Sequence, residues 1–508
     1  MFVRALIFYL EIFYSYSNFS IFGQNIKLMA VSIKGDKNIA SAPSINHKAL
    51  KINLNENIYG SFSEIGAGQE TARNFFRAGA SSGTIAKAMS AYSKEFSDAI
   101  YGAETDGRYV TKNRLQKMLR HETNLLEQRL DRKENADKIY FTYANTVATI
   151  DFAKKFKGHG WLGIRFQMSP LEDYNEIILH VRFHENDSIH QQVTLGKIGV
   201  NLIYGAFYHN DNPKDLLNSL YDHIDVDKIE IDVINFSGPR FTFVDNRLMS
   251  LLLVKNGFTD AVMFGPEGVN LLPADELYKK NILALRGSFR PVTKLAVDMF
   301  EKGYNMFIKE NNVDKKNTDF IFEMTLDNLS QEGSINEKDF LDRVNLLGSL
   351  NHTVMITNFR EYYRLIEYFS RFTKEKTGLI MGTNHLIKLF DESYYRNLSG
   401  GIMEAFGKLF FKKLKLYIYP YRDRETDKII CSENLELYPR VQEFYDYFKH
   451  NGRFIDLENY KKEYLNIYAR EIIKKIQKGE TGWESSLPEG IAEKIKSNYL
   501  FGYKKVVD

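Results

Sequence analysis

Short apolar runs separated by polar, glycine-bearing breaks dominate the chain from about residue 160 to residue 420. Leu162–Met168 and Glu176–Phe183 read as two strands around a polar loop containing Pro170 and Asp173. Val200–Phe207, Lys228–Ile234, Ala261–Phe264, Ile282–Arg286, Phe320–Thr325, Thr353–Thr357, Gly378–Met381 and Leu414–Tyr419 then read as strands, with helical stretches such as Val292–Asn311 and Glu361–Glu375 between most of them. The runs are continuous rather than alternating, as in a parallel sheet covered on both faces, so the fold class is α/β with parallel strands alternating with helices. Nearly every strand ends in glycine or polar residues, for example Asn235-Phe236-Ser237-Gly238 and Gly382-Thr383-Asn384-His385. In a barrel all such ends meet at one mouth, whereas in an open sheet only those at the switch point do, so a (β/α)8-like barrel is favoured over a doubly wound sheet. Lys228–Tyr419 is expected to form one parallel unit.

Ahead of this unit, Gln69–Arg132 has helical periodicity with glycine joints, and Lys112–Arg132 sets Leu115, Met118, Leu119, Leu125, Leu126 and Leu130 on a charged background. The expected organisation is a poorly ordered lead-in (1–50), a helical accessory region (51–135), a catalytic-type α/β domain (136–420) and a C-terminal helical extension (421–508). Residues 1–28 imitate a secretory signal, but Glu11 interrupts the apolar run and no small-x-small cleavage site follows. They are expected to be unprocessed and dispensable, with translation starting at Met29.

Composition narrows the function by exclusion. Across 508 residues, 68 Lys and Arg against 65 Asp and Glu leave +3, which gives no electrostatic reason to expect nucleic acid or an acidic membrane. Sixty-eight Phe and Tyr against ten Pro describe packed structure rather than linkers. Cys431 is the single cysteine, so no internal disulfide framework or multi-cysteine metal site exists, and a cytoplasmic location is expected. No later stretch reaches the roughly 18 apolar residues of a membrane span. A small phosphorylated ligand is the expected partner, and a homo-oligomer is compatible with the composition.

Candidate chemistry concentrates in Leu285-Arg286-Gly287-Ser288-Phe289-Arg290-Pro291-Val292-Thr293-Lys294, between a strand and a helix. The glycine turn and helix start offer backbone N–H groups to a phosphate, and Arg286, Arg290 and Lys294 add charge-assisted bonds. The expected binding set is Arg286, Gly287, Ser288, Arg290 and Thr293, joined by Arg240 after Gly238-Pro239. Against it stands a basic helix start balanced by acids, with Arg240 paired to Asp245. Glu323, His385 and Lys294 are the candidates for handling protons and charge. A salt bridge at Glu323 and an inert helix-start histidine are the alternatives. In Glu176–His184, period two puts His180, Arg182 and His184 on one strand face, where an anion could bind; imidazoles at i and i+4 lie about 13 Å apart, too far to chelate one metal alone. A solvated strand face is the competing reading, and no residue is assigned to a resident metal.

The Gly287–Thr293 stretch resembles the G-x-F-D-P-[VI]-[TH]-x-G-H loop of the nicotinate-nucleotide and phosphopantetheine adenylyltransferases, matching at Gly287, Phe289, Pro291, Val292 and Thr293. Arg290 stands in the aspartate position, Leu295 at the second glycine and Ala296 at the histidine, and no downstream I-S-S-T-x-x-R motif follows. Asn55–Gly60, Glu64–Thr71 and Asn235–Arg240 are similar to a long bacterial family, common in the Bacteroidetes and labelled nicotinate-nucleotide adenylyltransferase. The resemblance implies a nucleotidyltransferase of NAD biosynthesis, using Mg²⁺ with its nucleotide, and without the motif histidine it needs Lys294, Arg290 or Mg²⁺ to stabilise the transferred group. The altered positions favour the alternative, a noncatalytic metabolite-binding or regulatory protein.

Overall fold

A computed structural model describes residues 42–330, 333–410 and 414–504, and every element below lies in the unit Ser44–Asp508. The expectations for residues 1–28 lie outside the described residues. The end of the expected lead-in is ordered: helix α1 (Ile45–Asn53) is capped by the Ser44 side chain, which accepts from the His47 N–H.

Two sheets organise the unit. The first contains β1 (Ile58–Gly66), β2 (Ile85–Ser90), β3 (Ile139–Ala148), β4 (His159–Phe166), β5 (Asn175–Phe183) and β6 (Ile229–Ser237), in the order β2-β1-β3-β4-β5-β6. Pairing is parallel across β2, β1 and β3 and antiparallel from β3 to β6. One face packs on α1 and α2 (Glu70–Ala78), the other on α3 (Lys112–Arg129) through Leu115, Met118 and Leu119, and α4 (Ser188–Tyr208) lies on the same face as α1 and α2.

Several expectations change here. The 51–135 region is not wholly helical, because it supplies β1 and β2. β1 is masked in the sequence because Gly60, Ser61 and Ser63 interrupt its apolar residues, and the glycine is required by a close neighbour: a Cβ on Gly60 would sit 2.2 Å from the Phe141 carbonyl oxygen. Val200–Phe207 is not a strand but the buried end of α4. A helix enclosed on all sides gives the same apolar run as a buried strand, and only the Asp187 N-cap and the 21-residue length separate them. Lys228–Tyr419 is likewise not one parallel unit, since β6 is an antiparallel strand of the first sheet.

The second sheet contains β7 (Ala261–Phe264), β8 (Asn270–Leu271), β9 (Asn281–Arg286), β10 (Thr318–Thr325), β11 (Thr353–Thr357), β12 (Thr377–Gly382) and β13 (Lys415–Tyr419). A hairpin of β14 (Tyr421–Arg422) and β15 (Ile429–Ile430) follows, and β16 (Phe454–Asp456) completes the row β16-β13-β12-β9-β10-β11-β7-β8. From β16 to β11 all pairings are parallel, and β7 and β8 add an antiparallel edge. Helices α5 (Lys294–Phe307) and α6 (Glu337–Ser349) cover one face; α7 (Tyr362–Ser370) and α8 (Thr383–Leu389) cover the other; α9 (Ala469–Lys478) joins the first pair.

The expected parallel α/β alternation is therefore present. Among the described residues no pairing joins β16 to β8, so the row has two edges, and its order is that of the doubly wound alternative rather than the barrel. From β9 the chain winds outward through β10 and β11, then returns to the other side of β9 through β12 and β13. Polar strand ends did not separate the two architectures, because such residues also serve as helix caps: Thr325 accepts from the Asn328 N–H, and its own N–H donates to Asn328 Oδ1 at the start of a four-residue helix.

Candidate functional site

The reversal of winding opens a crevice between the carboxyl ends of β9 and β12, where ligands bind in open α/β sheets. Its volume is about 430 Å³, within the range of small-molecule sites. The loop Gly287–Thr293 and the first turn of α5 form one wall, Gly382–His385 and Lys388 the second, and Tyr419-Pro420-Tyr421 with Leu465, Ile467, Tyr468 and Ala469 the third. A second cavity of about 250 Å³ adjoins it, lined by Asp327, Asn328, Arg360, Glu361 and Tyr362 among others. Arg286, His385 and Lys388 belong to both.

The shape of the loop rests on packing. Phe289 turns back with a positive φ of 46° and buries its ring 5.1 Å from that of Phe322. A Cβ on Gly287 would meet the Phe289 ring at 2.8 Å, so the glycine makes room for the fold-back. Val292 is fully buried, and the Gly287 N–H donates to the Glu323 carbonyl at 3.0 Å.

The cations expected to surround one anion are dispersed. Parallel pairing sets Arg286 opposite Glu323. The Arg286 guanidinium donates to both Glu323 oxygens, at 2.5 and 2.8 Å, and to the Arg360 carbonyl at 3.0 Å, while stacking over Tyr362 at 4.3 Å. Glu323 is fully buried and also accepts from Thr357 Oγ1 at 2.6 Å. Each is the other's counter-ion, so Glu323 sits in the salt bridge that its apolar strand demands. Arg290 points away, to Asp339 on α6, which also holds Arg343; Arg343 in turn pins the Ser288 carbonyl at 3.1 Å. Lys294 Nζ donates to the Ser485 carbonyl at 2.7 Å, and Thr293 caps α5 by accepting from the Ala296 N–H. Arg240 lies beside the first sheet, bonded to Asp211 and Asn210 rather than to Asp245.

His385 alone of the candidate proton-handling set stands at the junction of the two cavities without a committed ion pair. Burial, followed by the positive charges of Lys388 and Arg286, pushes its pKa down to about 4, so the imidazole is neutral near pH 7. Lys388 is exposed and borders both cavities. Its position three residues after His385 was a readable signal, since i and i+3 share a helix face. The wall at 465–469 had none: read against I-S-S-T-x-x-R, Ile467–Ile473 keeps only its first residue. That segment leads into α9, whose start carries no side-chain cap.

No family model matches the chain, and no curated protein matches it. Solved structures that align with it include the competence-damaged protein (CinA) superfamily protein KP700603 from Klebsiella pneumoniae 700603, at 10% identity and TM-score 0.25, over 32% of this chain and 96% of that one. Plasmodium falciparum nicotinic acid mononucleotide adenylyltransferase complexed with NaAD aligns at 14% identity and TM-score 0.29, over 44% of this chain and 98% of that one. Similarity at this level leaves the function to be argued from the site itself.

Proposed function

We propose that the switch-point crevice binds a nucleotide or another phosphorylated metabolite and that the protein is an enzyme acting on it. The observation that carries this reading is the pairing of an aromatic and apolar chamber with a polar one across a shared edge of His385 and Lys388. A nucleotide has the same division: a base that stacks on Tyr421 or Tyr468, and phosphates that need cations and N–H donors. Lys388 and Arg360 supply the charge, and the start of α5 and the uncapped start of α9 supply amide groups.

The specific version is adenylyl transfer to a nicotinate nucleotide, suggested by the loop resemblance. An oxygen of the mononucleotide phosphate attacks the α-phosphorus of ATP, and the bond to pyrophosphate breaks. Lys388 replaces the missing histidine as the group that meets the developing charge, and neutral His385 donates a hydrogen bond. Asp327 and Glu361 on the polar wall fit a Mg²⁺ ion that arrives with the phosphates. Retention without catalysis is favoured by one observation: Arg286 and Glu323, the strand-end pair nearest the loop, are spent on each other.

Calorimetric titration with ATP, followed by assay of pyrophosphate release with nicotinate mononucleotide, separates these readings. Binding that weakens at least tenfold in Lys388→Ala, with pyrophosphate release, supports the enzyme. Binding without turnover supports the noncatalytic protein, and absence of binding removes both.

A further inference from the structure

The polar stripe of β5 lines a second large cavity, of about 880 Å³, between the first sheet and the edge of the second. Antiparallel register places His159 opposite Arg182 and Trp161 opposite His180, all on the face away from α4. Behind them, Asp232 of β6 is buried and accepts from His180 Nδ1 at 2.5 Å and from Arg182 at 3.4 Å. His180 Nε2 lies 3.2 Å from His159 Nδ1.

A carboxylate accepts only, so His180 donates from Nδ1 to Asp232. The hydrogen bond between His180 Nε2 and His159 Nδ1 engages that side of the second ring and leaves His159 Nε2 at the cavity edge, with no protein partner among the described residues. Burial opposes the Asp232 charge, but His180 and Arg182 outweigh it and hold the carboxyl below its ordinary range. Burial, with the His180 and Arg182 charges, pushes His159 down to about 4, so the imidazole is neutral near pH 7.

The cavity wall is basic. Arg108, Lys155, Lys157, Arg182 and Arg371 line it, against Asp260 and Asp275. Arg108 and Arg371 make long contacts of 3.5 Å with those two acids, Arg108 also pairs with Asp106 at 3.1 Å, and among the described residues Lys155 and Lys157 have no acidic partner. The described residues contain no group of three or more His, Cys, Asp and Glu able to hold a metal ion.

We propose that this cavity is a second ligand site, separate from the switch-point crevice, for a small metabolite carrying an oxyanion beside a hydroxyl group. The basic wall takes the phosphate or carboxylate, and His159 Nε2 hydrogen-bonds the hydroxyl group, which can donate or accept. A structural Asp232–His180 pair would need no third member, whereas His159 extends the chain to the cavity and ends there.

Trp161 lines the cavity with its ring 4.8 Å from that of His180, and the other tryptophan, Trp483, is buried elsewhere. Tryptophan emission of the full chain is therefore a local readout during titration with glucose 6-phosphate, malate and inorganic phosphate. We expect a saturable change with glucose 6-phosphate or malate, depending on which oxyanion the site takes, and none in Trp161→Phe. Arg108→Ala and Lys157→Ala, both at exposed positions, should each weaken it about tenfold, and Lys388→Ala should leave it unchanged. His159→Phe should reduce the hydroxyl-bearing ligand to the affinity of inorganic phosphate. No saturable change with any of the three compounds, or a change that survives combined Arg108→Ala and Lys157→Ala, would overturn the proposal.

Discussion

Gly287, Phe289 and Val292 recur in the loop after β9 for reasons of space: the glycine admits the folded-back ring, and the ring and the valine fill the core. The positions that differ from the motif, Arg290, Leu295 and Ala296, are those where chemistry would reside. Motif identity at packing positions therefore carries fold information, and the proposed phosphate contacts rest on His385 and Lys388 instead. One consequence is that Glu323→Ala, which strands the buried Arg286 charge, should lower unfolding free energy by about 3–5 kcal/mol in urea titrations. Arg290→Ala breaks a pair whose acid retains Arg343, so it should lower stability less and leave any ATP-induced rise in melting temperature intact. Loss of that rise in Arg290→Ala would return the arginine to the ligand site. Glu64 gives a pH signature: burial raises its pKa to about 7, and Oε1 has no partner. Between the unfolded value near 4.5 and the folded value the native state holds the extra proton, so this contribution is complete below pH 4.5 and is lost as pH rises towards and past 7. Glu64→Gln should match wild type at pH 4 and exceed it at pH 8 by up to roughly 3 kcal/mol in denaturant titrations. Equal stabilities at pH 8 would contradict the burial argument.

Helix α5 is held on the second sheet by a close approach at Gly303, where a Cβ would sit 2.4 Å from Ile380 Cδ1 of β12. Gly303→Ala should destabilise by about 1–3 kcal/mol despite its better helix propensity, and Ile380→Val, which removes the obstructing methyl, should recover part of that loss in thermal melts. A stabilised Gly303→Ala would mean that the helix packs more loosely. Element by element, what the sequence disclosed depended on enclosure. Strands β9 to β13 were legible because both faces are covered and their apolar runs are short and bounded. α4 failed the same test, since a fully enclosed helix erases its period. β1 was hidden by Gly60 and its serines, which are buried by proximity to β3 rather than by apolar bulk. At the candidate site, the loop and His385 were visible in local sequence. The commitments of Arg286 and Arg290 were not, because their acids lie 37 and 49 residues away and meet them only through sheet register and helix packing.

At the scale of the molecule, two sheets with different pairing rules offer two distinct cavities: one at a topological reversal, with apolar and polar chambers, the other on a basic strand face. We place the proposed nucleotide site at the reversal in the second sheet. The doubly wound order makes this claim specific, because a barrel would place the site among all strand ends, whereas the observed order confines it to β9 and β12 and the segments that wall them. Photolabelling with 8-azido-ATP followed by peptide mapping tests it directly. The account predicts label on peptides containing residues 419–421 or 465–469, suppressed by excess ATP and strongly reduced in Lys388→Ala. Label that excess ATP does not suppress, or suppressible label confined to peptides of the first sheet, would contradict it.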